Sequence, residues 1–267
     1  MDYRPLMKQI PNLFTLLNLV FGCIAIVFTL QQGVILLPLD DAGTILTTPV
    51  QIENTPEKIV LASLFIALAG LVDFLDGFVA RLFKATSELG KQLDSLADVV
   101  SFGVAPAMII YQFLRLSVAQ ESGALDASMI WLVPAFIVAA AAAWRLGKFN
   151  LDTRQTYGFL GVPTPAVGLT VASFPLIYWF SDNAAVVEIL LNKWFWYAVI
   201  AVLSFLMVSS LPMLALKFKG LTIKSAMPFM VIALVGLAAI FLLGWLAVPV
   251  IFITYVLVSL FFKNKTA

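Results

Sequence analysis

The 267-residue sequence contains no histidine and a single cysteine. Without histidine there is no imidazole base, no phosphohistidine intermediate and no His-ligated metal. A lone Cys23 rules out a disulfide within the chain, and its place inside an apolar run reads as a small buried hydrophobe. Charge is scarce as well: 12% of residues are charged and the net charge is +1, so nucleic acid is not an expected partner. The first apolar run lacks an A-x-A-like site and is long enough to remain as a span, which argues against a cleavable signal peptide. No internal repeat is visible, and residues 1–267 read as one domain.

What fills the chain instead is apolar: 62% of residues are hydrophobic, and the mean hydropathy is +1.02. The runs are long and unbroken, not short and alternating, so the expected class is an all-α polytopic membrane protein and not a β-barrel. Eight spans are predicted, at about 12–30, 58–81, 94–114, 129–148, 163–180, 194–214, 226–243 and 246–262. With the N-terminus inside, thirteen of the sixteen Lys and Arg fall in the cytoplasm and only Lys58, Arg115 and Lys193 lie outside. Both termini are then cytoplasmic. Trp131, Trp194, Trp196 and Trp245 sit near predicted outer helix ends, as an interfacial belt requires.

Against this background four carboxylates stand out. Asp73 and Asp76 are i,i+3 neighbours and Asp94 and Asp98 are i,i+4 neighbours, so each pair lies on one helix face. The helical rise from Lys58 to Asp73 is roughly 22 Å of a hydrocarbon core of about 30 Å, which brings Asp73 near the cytoplasmic interface. Asp94 enters the next span at that same level. Four carboxylates at one low-dielectric depth repel one another unless neutralised. Oxygen donors without His or Cys select a hard cation, Mg²⁺ or Mn²⁺. Two ions would balance the four charges and clamp an in-line displacement at phosphorus. Gly77 and Gly90 remove side chains where something bulky must approach the backbone.

Blander readings exist for each part. A single carboxylate in a span can pair helices or relay protons, and Arg81 alone reads as a snorkelling helix end. A cation transporter would use the same four aspartates. That reading predicts carboxylates near the midplane, broken helices and often an inverted repeat. A non-catalytic assembly protein gives no reason for a full ligand set.

The pattern D-x-x-D-G-x-x-A-R-x₈-G-x-x-x-D-x-x-x-D is complete here as Asp73, Asp76, Gly77, Ala80, Arg81, Gly90, Asp94 and Asp98. In this the chain resembles the CDP-alcohol phosphatidyltransferases. The resemblance implies transfer of a phosphatidyl group from CDP-diacylglycerol to a hydroxyl, with release of CMP. It implies that Asp73, Asp76 and Asp94 bind metal, while Asp98 borders the metal site and acts as general base. Gly77, Ala80 and Gly90 would make room for the cytidine diphosphate, with Arg81 near phosphate. The absence of histidine fits a direct single displacement without a covalent enzyme intermediate.

Further stretches are most similar to the membrane-integral branch of the family that uses L-serine as acceptor: IPNLFTLLNL from Ile10, DSLADVVSFGVAPA from Asp94, RLGKFN from Arg145 and GFLGVPTPA from Gly158. One departure is Gly147-Lys148, where that motif often reads RLARFN; Lys148 keeps the charge without the guanidinium fork. Glycerol phosphate, inositol phosphate and choline are acceptors elsewhere in the family. Arg145, Lys148 and Asn150 could bind the serine carboxylate, with positive-inside anchoring as the alternative for Lys148 above all. Asn12 and Thr15 could touch the nucleotide or diphosphate, although Asn12 equally suits a helix cap. The resemblance also implies a homodimer.

Overall fold

The chain begins with two long apolar helices packed against each other, α1 (Ile10–Leu30) and α2 (Lys58–Leu82). The computed structural model describes residues 10–31, 58–82, 87–119, 128–151, 159–214 and 223–262. Helix α3 (Glu88–Asp98) runs through a π-helical stretch, Val99–Val104, into α4 (Ala105–Ala119). Two short 3₁₀ turns lead into α5 (Ile137–Leu151), followed by the two-residue strand β1 (Phe159–Leu160) and α6 (Thr164–Phe180). Then come α7 (Ala184–Leu190), α8 (Lys193–Val208), strand β2 (Pro212–Met213), α9 (Ile223–Leu243) and α10 (Ala247–Phe261).

The architecture is all-α, apart from one antiparallel ribbon in which Phe159 faces Met213 and Leu160 faces Pro212. Among the described residues five helical stretches are long and apolar enough to cross a membrane: Pro11–Leu30, Lys58–Val79, Glu88–Ala119, Met129–Leu151 and Ala226–Phe261. A sixth appears if α7 and α8, bent by 68°, form one span, and α6 is apolar but has only 17 residues. The last stretch folds back on itself. Gly244 turns the chain with φ +55°, and a Cβ built on Gly236 of α9 would lie 3.3 Å from Ile251 Cγ1 of α10.

The centre of the bundle is the α3–α4 rod. Its wide turn is set by Ala105, whose N–H reaches back five residues to the Val100 carbonyl. Ser101, Phe102 and Gly103 in that turn are buried and pack against α1, α5 and α6. Lipid chains are as apolar as leucine, so helices in a membrane associate through close packing of small residues. Gly22 shows this: a Cβ there would lie 2.8 Å from Ser101 Cα, so α1 can cross the wide turn only with glycine.

Four expectations need correction. The third helix starts at Glu88, not near 94, because Ser87 caps it by accepting from Gly90 N at 3.0 Å. The sixth predicted span stops at Val208, and Pro212, which cannot continue a helix, enters the ribbon instead. Trp196 belongs to the core and not to an interfacial belt: it is fully buried, stacks on Phe113 at 4.7 Å and donates from Nε1 to Leu190 O at 2.7 Å. Cys23 is exposed on the outer face of α1, an apolar face that needs no protein partner in lipid.

Candidate active site

The first half of helix α1 carries a polar stripe, Asn12, Thr15 and Asn18, whose spacing of three places it on one face. That stripe meets the carboxylates. Thr15 Oγ1 donates to Asp76 Oδ2 at 2.9 Å, with Pro11 O also in reach at 3.2 Å. Asn18 Nδ2 donates to Asp98 Oδ1 at 3.3 Å. Ser101, in the wide turn, donates to Asn18 O at 3.0 Å and so ties α1 to the rod that carries Asp94 and Asp98. Thr15, Asn18, Asp76, Asp98 and Ser101 are all buried, which makes each contact among them a strong constraint on helix register.

Asp73 and Asp76 on α2 and Asp94 on α3 each offer a carboxylate oxygen within 4.8 Å of the other two. Asp94 Oδ1 is a buried acceptor with no hydrogen-bond partner. An unsatisfied oxygen inside a cluster of oxygen donors fits a hard divalent cation. Asp98 stands outside that close trio. It is 6% exposed and within electrostatic range of Asp73, Asp94 and Asp76.

Beside the trio lies a cavity of about 470 Å³ whose walls include Asn12, Thr15, Asp76, Gly77, Gly90 and Asp94. The two glycines act differently there. A Cβ on Gly77 would meet nothing within 4 Å, so this glycine keeps the cavity wide. A Cβ on Gly90 would lie 2.9 Å from Asn12 Oδ1 and 3.0 Å from Ser87 Oγ, so this one admits the Asn12 side chain to the wall. Ala80 and Arg81 continue α2, but their side chains lie outside the described residues. A larger cavity, about 660 Å³, lies at the opposite end among Ser117, Asp182, Glu188 and Lys193, away from the carboxylate cluster.

Of the three residues expected to meet an acceptor, Arg145 and Lys148 line one small cavity, and Asn150 is not among its lining residues. Arg145 on α5 is 8% exposed, donates from Nη1 to Thr164 Oγ1 at 3.0 Å, and keeps a buried Nε with no partner. Its electrostatic neighbours are Tyr255 and Asp98. Lys148, nearly one turn later, is exposed. Asn150 is engaged elsewhere: its Nδ2 donates to Ser95 Oγ at 2.8 Å and its carbonyl accepts from Lys91 Nζ at 3.3 Å, tying α5 to α3.

Asn18 and Tyr255 were not among the expected site residues, and the sequence leaves Thr164 open to either lining the site or simply starting a helix. The stripe spacing from Asn12 and Thr15 could have pointed to Asn18, and Thr164 lies inside the GVPTP run. Nothing local marks Tyr255.

Comparison with known proteins agrees with this site. The chain is 36% identical over 126 residues to the archaetidylserine synthase of Methanothermobacter thermautotrophicus, covering 46% of this chain and 50% of that protein. It is 37% identical over 116 residues to the CDP-diacylglycerol–serine O-phosphatidyltransferase of Helicobacter pylori, covering 43% and 45%. To the enzyme of the same name from Mycobacterium leprae it is 29% identical over 218 residues, covering 76% and 65%. The matched stretch spans about half the length of the first two of these relatives. The sequence model of the CDP-alcohol phosphatidyltransferases matches residues 8–194, which hold all four aspartates, the α1 stripe, Arg145 and Thr164. The chain belongs to the CDP-alcohol phosphatidyltransferase family.

Proposed function

We propose that this protein transfers the phosphatidyl group of CDP-diacylglycerol to the hydroxyl of L-serine, forming phosphatidylserine and CMP. The observation that carries this reading is the trio Asp73, Asp76 and Asp94, of which Asp76 and Asp94 line the open cavity, with Asp98 adjoining the cluster. Serine as acceptor is supported by the names of the relatives and by a buried arginine within electrostatic range of Asp98.

Asp73, Asp76 and Asp94 would hold Mg²⁺ or Mn²⁺, with two ions as the proposed number and Asp98 at the border. Such an ion supplies charge neutralisation at the diphosphate and polarises the phosphorus centre. The chain does the rest. The cavity beside Gly77 and Gly90 receives the cytidine diphosphate, and Asn12 and Thr15 face it. Asn18 fixes the orientation of Asp98, which takes the proton from the serine hydroxyl. The serine oxygen bonds to the phosphorus that bears diacylglycerol as the bond to the CMP oxygen breaks. Arg145 pairs with the serine carboxylate through its unused guanidinium edge. One displacement inverts the configuration at phosphorus, and net retention in a chirally labelled product would overturn the single step.

The same reading places the protein in the inner or plasma membrane, with eight spans, both termini in the cytoplasm and the site at the cytoplasmic face. Two features support it. The fold-back at Gly244 divides Ala226–Phe261 in two, and α6 and the bent α7–α8 pair bring the total to eight. Lys58, Arg115 and Lys193 also gather at the end remote from the carboxylates, with Lys58 bonded to Gln31 and Arg115 to Gln112.

The deciding assay is CMP release from CDP-diacylglycerol by the purified chain, given serine, glycerol phosphate, inositol phosphate or choline in turn. Serine-dependent release with phosphatidylserine as product is expected. Turnover with glycerol phosphate and none with serine sinks the acceptor assignment.

A further inference from the structure

The family match stops at residue 194, and the hairpin α9–α10 lies beyond it. Yet α10 reaches back to the acceptor side. Tyr255 and Ser259 are i,i+4 neighbours on one face, and both grip the backbone of Leu214. The Tyr255 hydroxyl donates to Leu214 O at 3.2 Å, and Leu214 N donates to Ser259 Oγ at 3.3 Å.

Leu214 directly follows β2, and β2 holds β1. Two more bonds extend that grip toward α6: Gly161 N donates to Leu211 O at 2.8 Å, and Val162 N to Leu206 O at 3.0 Å. Gly161 stands at φ +76°, a conformation that lets the chain turn from β1 into α6. Two residues past Val162, Thr164 receives the Arg145 guanidinium. Tyr255 is itself an electrostatic neighbour of Arg145. Arg145 therefore depends on α10 in two ways, through the Leu214–ribbon–Thr164 chain and through the tyrosine beside it.

We infer that Tyr255, assisted by Ser259, is a positioning residue for the acceptor: it holds the ribbon and Arg145 so that the unpaired Nε edge of the guanidinium is directed at a carboxylate-bearing alcohol. The hairpin outside the family match thus tunes acceptor choice. This rests on the reading that Arg145 meets the acceptor carboxylate.

The test measures KM for L-serine, KM for CDP-diacylglycerol, and kcat in the full-length chain, with ethanolamine as an acceptor that lacks the carboxylate. Tyr255→Phe removes one hydroxyl and keeps the ring. It is expected to raise the serine KM about three- to tenfold, as loss of one hydrogen bond implies. It should leave the CDP-diacylglycerol KM unchanged and narrow the preference for serine over ethanolamine. Ser259→Ala should shift the serine KM in the same direction by less. If Arg145→Gln raises the serine KM while Tyr255→Phe and Ser259→Ala do not, the positioning role is overturned and the Arg145 reading stands. Should Arg145→Gln leave the serine KM unchanged, the Arg145 reading itself fails. A Tyr255→Phe protein that loses affinity for both substrates in proportion has lost general structure, which also overturns the inference.

Discussion

On the α1–α3 side of the carboxylates a cavity of about 470 Å³ stands open, whereas on the α5–α6 side Arg145 is packed to 8% exposure. Glycine keeps the first side wide, at Gly77, and hydrogen bonds close the second, at Thr164 and Leu214. Under the proposed function, the open side would receive the bulky diphosphate substrate. The closed side suits a small polar molecule chosen by a few donors. Under the proposed function, a single site would take two partners of very different size by relaxing one wall and tightening the other.

Three substitutions would break or sharpen that contrast. The largest effect is expected at Asp98→Asn, which sits between the two sides. Turnover should fall about 10²- to 10⁴-fold, the usual worth of a positioned base, with CDP-diacylglycerol binding kept. Equal losses in CMP release and in equilibrium binding would make Asp98 chiefly a ligand. Next comes Gly77→Ala, which puts a methyl into the open wall with no protein atom within 4 Å to resist it. The KM for CDP-diacylglycerol should rise about tenfold with the melting temperature unchanged. An unchanged KM would show that the substrate does not use that wall. The smallest effect is expected at Asn150→Ala. Loss of the Ser95 bond should cost about 1 kcal/mol in a denaturation curve, while the serine KM stays put. A large rise in that KM would return Asn150 to the acceptor site.

The same contrast separates what the sequence disclosed from what it concealed. Asp73, Asp76, Gly77, Gly90, Asp94 and Asp98 lie within 26 residues, so periodicity put each aspartate pair on one helix face and helical rise set both pairs at one level. The closed side draws on Arg145, Thr164 and Tyr255, three residues on three helices, and no local pattern links them. Helix existence was legible because apolar runs are long. The capped start at Glu88, the strand at Pro212 and the burial of Trp196 depend on individual hydrogen bonds and packing partners. The partner of Asn150 was hidden for the same reason: its amide turns to Ser95, on another helix.

The wide turn at Val99–Val104 has one more consequence. A helix advances about 100° per residue, so a turn that closes over five residues where four would do shifts the phase of everything after it. Upstream, α3 is two-faced, with Leu89 and Leu96 outward and Asp98 inward; downstream, α4 is walled in by neighbours over most of its surface. The turn is a gear change between those rotational settings. One continuous rod can thereby aim carboxylates at α1 and α2 at its polar end while it serves as the axle of the bundle below.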